Sequence, residues 1–278
     1  MAAWAPLSTE INHSMTYRTK KRFGQHFLHD HTVIDRIIDA AHLNPQQQVA
    51  EIGPGLGVLT DELLLRSAHV QVMEIDRDLI DRLEARNDSR LTVHSGDVLK
   101  LPWRNFLNQP PYTMVANLPY NISSQVVFRL IEHRDLFQRM VLMFQREVGE
   151  RLMAPPGGKQ YGILSVLCQL WFELKTVTLV KPGAFTPPPK VDSIVLSFES
   201  LPAPRVDPID DVLFKRVVKG AFTQRRKTLR NSLLASGFSA PDIDQVLHQA
   251  GVAPGCRGET LSLQNFSDLT RFFAEKIN

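Results

Sequence analysis

Asn117, Leu118, Pro119 and Tyr120 place a side-chain amide, a backbone carbonyl and an aromatic ring directly after the apolar run 112–116. That set matches a difficult problem in amine chemistry. The exocyclic N6 amine of adenine is a poor nucleophile because its lone pair is delocalised into the ring, and no ordinary side-chain base removes its proton. Two acceptors on one side, the Asn117 amide oxygen and the Leu118 carbonyl, can take hydrogen bonds from the amine and direct its lone pair at an electrophile. Pro119, with fixed φ and no N–H, stiffens the turn that aims them. Tyr120 offers a face for a base that has left its own stack.

A second group of residues points to a nucleoside pocket. Gly53, Gly55 and Gly57 form a GxGxG turn between an apolar run and a helical one, where missing side chains let backbone approach a ligand. A glycine turn alone is common punctuation. Glu74, however, ends the next apolar run about 20 residues after Gly53, where an open α/β sheet places the carboxylate that accepts from ribose hydroxyls. Asp97 ends the third run in the same way. Nicotinamide dinucleotides usually use GxGxxG for their pyrophosphate. Here the third glycine comes one residue early, which favours a nucleoside carrying an amino-acid tail, S-adenosylmethionine, over a dinucleotide.

The elements that must position these groups are legible in the pattern. Val33, Ile34, Ile37, Ile38 and Ala41 recur at helical spacing behind Asp30, a capping residue. From 48 to 120 short apolar runs alternate with helical stretches, which predicts a parallel sheet with right-handed crossovers. Residues 125–133 read as a helix, 139–145 as a buried strand and 161–172 as a buried helix. The runs 175–180 and 193–200 read as a closing antiparallel pair. Pro202, Pro204 and Pro208 mark 201–208 as a linker, followed by helical periodicity alone.

Composition restricts the class. The chain has 278 residues, 43% hydrophobic and 22% charged, with a formal net charge of +3, as expected of a globular, mildly basic protein. Cys168 and Cys256 lie in unrelated contexts, so neither a disulfide framework nor a metal site is expected. No apolar run is long enough to cross a membrane, and a cytoplasmic protein is expected. The net charge understates one region. Lys215, Arg216, Lys219, Arg225, Arg226, Lys227 and Arg230 follow one another with no acid between them, and these cations would repel one another without an anion nearby. RNA fits that need, and Arg225, Arg226, Lys227 and Arg230 are the candidate contacts. The basic run Arg18 to Arg22 is expected to add to the same footprint.

Taken together and in order, "FGQHFL", "EIGPGLG", "MEIDRDL", "GDVL", "NLPYNISS", "AFTPPPKVDS" and "FTQRRKTLRNSL" resemble the KsgA-type ribosomal RNA adenine dimethyltransferases from about residue 18 to the C-terminus. The resemblance implies an α/β fold: a Rossmann-like S-adenosylmethionine-dependent methyltransferase domain over 18–200, and a small all-α domain over 209–278 that binds RNA or the ribosome. Residues 1–17 would be a flexible extension. It further implies two methyl groups on each of two adjacent adenosines in the 3′-terminal hairpin loop of small-subunit rRNA, within an immature small subunit. By the same resemblance, His26 and Leu28 line the methionine end of the cofactor, and Gly53 and Gly55 its amino-acid portion. Glu74 takes the ribose, Asp97 the adenine, and Asn117 lies between cofactor and target. Phe185, projected by Pro187 to Pro189, would form a second wall opposite Tyr120. No metal is expected, and the protein would act as a monomer. Many bacterial members carry Asn where this chain has His26. The rival readings are the methyltransferases that modify one adenosine of large-subunit rRNA, a non-catalytic assembly or transcription factor on the same fold, and, more distantly, a nicotinamide oxidoreductase.

Overall fold

A computed structural model describes residues 19–20 and 24–277. In chain order the elements are β1 (Phe27–Leu28), α1 (His31–Ala41), β2 (Gln48–Ile52), α2 (Val58–Arg66), β3 (His69–Glu74), α3 (Arg77–Glu84) and β4 (Leu91–Ser95). They continue with α4 (Trp103–Phe106), β5 (Tyr112–Asn117), α5 (Ser123–Glu132), β6 (Phe137–Gln145), α6 (Arg146–Met153), α7 (Ile163–Trp171), β7 (Phe172–Val180), β8 (Phe185–Thr186) and β9 (Ser193–Ser200). Four helices close the chain: α8 (Asp211–Ala221), α9 (Leu229–Ala235), α10 (Ala240–Gln249) and α11 (Leu263–Ile277).

The main sheet has the order β4-β3-β2-β5-β6-β9-β7. Strands β2 to β6 are mutually parallel, while β9 runs antiparallel between β6 and β7. From β2 the chain steps outward to β3 and β4, then returns to place β5 on the other side of β2. The sheet therefore opens a crevice beyond the C-terminal ends of β2 and β5, where ligands bind such folds. The glycine turn leaves one of these ends, and Asn117 stands at the other.

Alternation along each strand sends side chains to two cores. Val49, Val70, Val72, Val115, Val141 and Val195 pack with α1 and α2 on one face. Ala50, Ile52, Met114, Ala116, Leu142 and Leu196 pack on the other. That second core runs without a break through α5 and α7 into Phe214, Val217 and Phe266 of the C-terminal helices. Helix α1 starts where Asp30 accepts from the N–H groups of Thr32 (2.9 Å) and Val33 (3.2 Å), satisfying two otherwise free donors. Asp76, Asp210, Thr228 and Ser239 cap α3, α8, α9 and α10 in the same manner.

Residues 201–210 contain neither helix nor strand. They lie against α7, with Leu201 N donating to Trp171 O (3.0 Å) and Arg205 N to Leu170 O (3.0 Å). The short ladder β1–β8, which pairs Phe27 with Thr186 and Leu28 with Phe185, has no counterpart in the sequence reading, because two residues display no period. The expected extension 1–17 lies outside the described residues.

Candidate active site

The crevice is a cavity of about 290 Å³ walled by residues from the N-terminal segment and from the ends of β2, β3, β4 and β5. The glycine turn forms its floor. Gly55 has φ +60°, and a Cβ there would stand 3.0 Å from the Phe27 ring, so any side chain would be both strained and obstructed. The backbone of this turn and the Phe27 ring thus share a space that only glycine permits.

Two acids expected at the rim are there. Glu74 is 7% exposed, and its Oε1 accepts from the N–H groups of Ile75 (2.8 Å) and Asp76 (2.9 Å). Burial holds its carboxyl above the usual range, with those N–H groups pulling the other way. Asp97 lines the cavity and accepts from Leu99 N (2.9 Å). Arg129 of α5 donates to the carbonyls of Leu99 and Leu101, holding that loop in place. A third acid was not anticipated. Glu51, on β2, is 1% exposed and lines the cavity, and its side chain takes one bond, from the Thr60 hydroxyl (2.7 Å). Burial pushes its carboxyl up to about 8. Its signal in the sequence was an acid inside an apolar run, two residues before Gly53.

At the end of β5, Asn117 Nδ2 donates to the backbone carbonyl of His26 (3.0 Å). A carbonyl only accepts, so this bond fixes which end of the amide is which and leaves Oδ1 for a ligand. The Leu118 carbonyl has no protein donor among the described residues. Tyr120 is anchored through its hydroxyl to the fully buried Ser193 Oγ (2.6 Å). Burial raises the phenol, against the opposing effect of Ser193, so the ring is neutral at physiological pH. His26 stacks on Tyr120 with ring centroids 5.5 Å apart and planes inclined by 26°. Leu28 is 4% exposed and lines the cavity from β1.

Phe185 is set apart from this group. It is 2% exposed, lies in the apolar core with Leu28, Val180 and Ala184, and does not line the cavity. The cross-strand pairing with Leu28 turns its ring inward. The ring facing Tyr120 belongs to His26.

A family model for ribosomal RNA adenine dimethylases matches residues 16–275. The chain belongs to this family. Among curated relatives, the ribosomal RNA small subunit methyltransferase A of Syntrophotalea carbinolica is 58% identical over 92% of this chain and 97% of its own. Its counterparts in Geobacter sulfurreducens (47%, over 91% of this chain and 95% of its own) and Pseudomonas aeruginosa (43%, over 93% and 96%) are also similar. Two solved structures share the fold. A dimethyladenosine transferase from Plasmodium falciparum has a TM-score of 0.75 at 29% identity, covering 90% of this chain and 98% of its own. A 23S rRNA methyltransferase, ErmE, has a TM-score of 0.63 at 26% identity, covering 89% and 99%. The expected Rossmann-like methyltransferase fold with a C-terminal helical part is thus the one observed.

In this dimethylase the basic stretch is less bare than its sequence suggests, because the fold brings acids from elsewhere. Lys215 pairs with Glu132 (2.7 Å), and Arg230 makes a two-pronged contact with Asp244 (2.6 and 2.8 Å). Arg225 donates to the carbonyls of Lys159 and Tyr161 and lies 3.8 Å from Glu259. Arg226 and Lys227, in the exposed turn before α9, have no acid partner among the described residues. At the other end of the chain Lys20 binds Asp76 (2.5 Å) and Asp78 (2.7 Å), fastening the N-terminal segment to the cavity rim. Arg18, Lys21 and Arg22 lie outside the described residues. No described helix is long and apolar enough to cross a membrane.

Proposed function

We propose that this dimethylase transfers methyl groups from S-adenosylmethionine to the N6 amines of two adjacent adenosines in the 3′-terminal hairpin loop of small-subunit rRNA, within an immature small subunit. The observation that carries the reading is the locked Asn117 amide. Its nitrogen is committed to His26 O, so its oxygen and the Leu118 carbonyl stand open together beside a neutral stacking ring. That is an arrangement for accepting from an amine on a planar base.

The cavity suits the cofactor on its own terms. Glu51 and Glu74 are buried acids beside a side-chain-free floor, and Asp97 stands at the rim. Glu74 would take ribose hydroxyls, Asp97 the adenine amine, and Gly53 and Gly55 the amino-acid tail. The cationic charge of that ligand answers the uncompensated burial of Glu51. When bound, the cofactor supplies an electrophilic methyl on a sulfonium.

The chain's residues then do the positioning. Asn117 Oδ1 and Leu118 O accept the two amine hydrogens and turn the nitrogen lone pair toward the cavity, Pro119 stiffens the turn, and Tyr120 covers one face of the base. No residue need act as a base beforehand, since the proton becomes acidic once the nitrogen carries the methyl. For the second transfer only one hydrogen remains to be accepted, so the base is then held chiefly by its faces.

The small-subunit assignment is supported by relatives of up to 58% identity that carry that name across nearly their full lengths. We assign RNA phosphates first to Arg226 and Lys227, then to Arg225, with Arg230 occupied by Asp244. On this reading residues 209–278 act as an RNA-facing lobe joined through 201–208, and the protein acts as a monomer without a metal. The test uses labelled S-adenosylmethionine with undermethylated small subunits, large subunits and DNA, each digested to nucleosides. Dimethyladenosine from small subunits alone is the expected result. Label in large subunits instead would overturn the substrate.

A further inference from the structure

A cofactor lying across a cavity is held at both ends, and its reactive group meets the target only if those ends keep a fixed relation. In this dimethylase the two ends belong to different elements: the loop after β4, which carries Asp97, and the turn after β5, which carries Asn117. Arg129 joins them.

The Asn117 turn is fused to α5. Ile122 N donates to Pro119 O (3.1 Å), Val126 N to Ile122 O (2.9 Å), and the buried Ser123 hydroxyl to Tyr120 O (3.2 Å). Further along the same helix, Arg129 reaches back to the Asp97 loop. One guanidinium nitrogen donates to Leu99 O and the other to Leu101 O (2.8 Å). Fully buried Trp103 donates from Nε1 to Val98 O (3.1 Å), and its ring lies 4.9 Å from the guanidinium carbon. The carbonyls of Val98, Leu99 and Leu101 are thus all taken by one cation–aromatic pair. Within the loop, one Asp97 oxygen accepts from Leu99 N (2.9 Å). The other has the exposed Lys100 ammonium, 3.9 Å away, as its cationic neighbour and is left for a ligand.

Stability alone does not account for an arginine here. Arg129 is partly buried, pairs with no carboxylate among the described residues, and has its Nε buried without an acceptor. Each of these costs free energy, and an unbranched apolar side chain would fill the space without either cost. What an apolar chain cannot do is bridge two carbonyls two residues apart, which a rigid planar fork of donors does.

We propose that Arg129 is a positioning residue that sets cofactor specificity: it fixes the Asp97 loop against α5, so that the free Asp97 oxygen meets the 6-amino group of the cofactor's adenine and discriminates against a 6-oxo purine. This rests on the reading above in which Asp97 takes the adenine amine. Arg129 itself touches neither cofactor nor target.

The test uses the full-length protein and the variants Arg129→Met, Arg129→Lys and Asp97→Asn. Calorimetry gives Kd for S-adenosylhomocysteine and for its 6-oxo analogue S-inosylhomocysteine, beside Tm, small-subunit affinity, and KM and kcat for methyl transfer. The unaltered protein should favour the adenosine compound. Arg129→Met should weaken S-adenosylhomocysteine roughly tenfold, the order of one hydrogen bond to a charged group, and leave the inosine compound within about twofold, so the preference collapses. KM for S-adenosylmethionine should rise, with kcat at saturation within about threefold and subunit affinity unchanged. Arg129→Lys, which keeps the charge but cannot span both carbonyls, should fall between. An intact preference in Arg129→Met overturns the proposal, whether both ligands weaken equally, as a merely structural residue would cause, or neither does. If Arg129→Met fails to fold, an intact preference in Arg129→Lys overturns it instead. A preference that survives Asp97→Asn refutes the reading of Asp97, whereas one lost in Asp97→Asn and kept in the Arg129 variants refutes the positioning role alone.

Discussion

At the scale of single residues, Asn117 has two tasks that its sequence context shows only as one. Its oxygen is free for the amine because its nitrogen is bound to His26 O. Asn117→Ala should lower kcat by about 100-fold or more, the size of effect that misplacing a reacting group produces, with little change in subunit affinity. Turnover at the normal rate would remove Asn117 from the chemistry. Glu51 makes a pH-dependent prediction. Its carboxyl is pushed up to about 8 by burial, against an ordinary value of 4.5, so between those limits the folded protein holds a proton that the unfolded chain has released. This group's contribution to stability is therefore full below pH 4.5 and declines as pH rises toward 8. A cationic ligand prefers the ionised carboxylate, so cofactor affinity should move in the opposite sense, tightening as pH rises from 6 to 8, with proton release on binding. Calorimetry in buffers of different ionisation enthalpy would detect it. An affinity profile identical to that of Glu51→Gln would show that the proton belongs elsewhere.

At the scale of elements, the parts most legible in the sequence were those with a period. Helix α1 with its Asp30 cap, the alternation of strands and helices from β2 to β5, and the β7–β9 pair all follow from patterns long enough to declare themselves. The β1–β8 ladder did not, since it joins two dipeptides far apart in the chain and only tertiary packing selects them. The family resemblance is what placed Phe185 opposite Tyr120, and the ladder pairs it with Leu28 in the apolar core. "AFTPPPKVDS" advertises a stiff segment with an aromatic ring, but the direction of the ring is set by Leu28 opposite. A core residue and a stacking wall respond differently to the same change. Phe185→Leu keeps most of the apolar volume, so it should cost about 1 kcal/mol in stability and leave kcat near normal. Phe185→Ala should cost roughly 3–5 kcal/mol. Thermal denaturation and turnover measured together distinguish the two cases: a Phe185→Leu variant of normal Tm but crippled kcat would return the ring to the base.

At the scale of the whole molecule, charge is where sequence and structure part most clearly. Counting cations from Lys215 to Arg230 gives a stretch that needs an external anion, yet the fold answers three of them with Glu132, Asp244 and Glu259, drawn from α5, α10 and the segment before α11. Such pairing is invisible in a linear reading because each partner lies on a different element. Among the described residues Arg216, Lys219, Arg226 and Lys227 have no acid partner; Arg216 lies over the Phe238 ring at 4.6 Å and Lys219 stands alone on α8, so phosphate affinity should be concentrated on the adjacent pair Arg226 and Lys227 in the turn before α9. Each phosphate contact contributes about 0.7–0.9 to the slope of log K against log salt. The double variant Arg226→Ala, Lys227→Ala should thus reduce the slope for small-subunit binding by about 1.4–1.8. Arg230→Ala should leave it nearly unchanged, because Asp244 already holds that cation. Asp244→Ala frees the guanidinium, and the same argument predicts tighter binding with a steeper slope. If Arg230→Ala lowers the slope as far as the double variant does, RNA must displace Asp244, and the ion pair is then a gate on the RNA surface instead of a fixed strut.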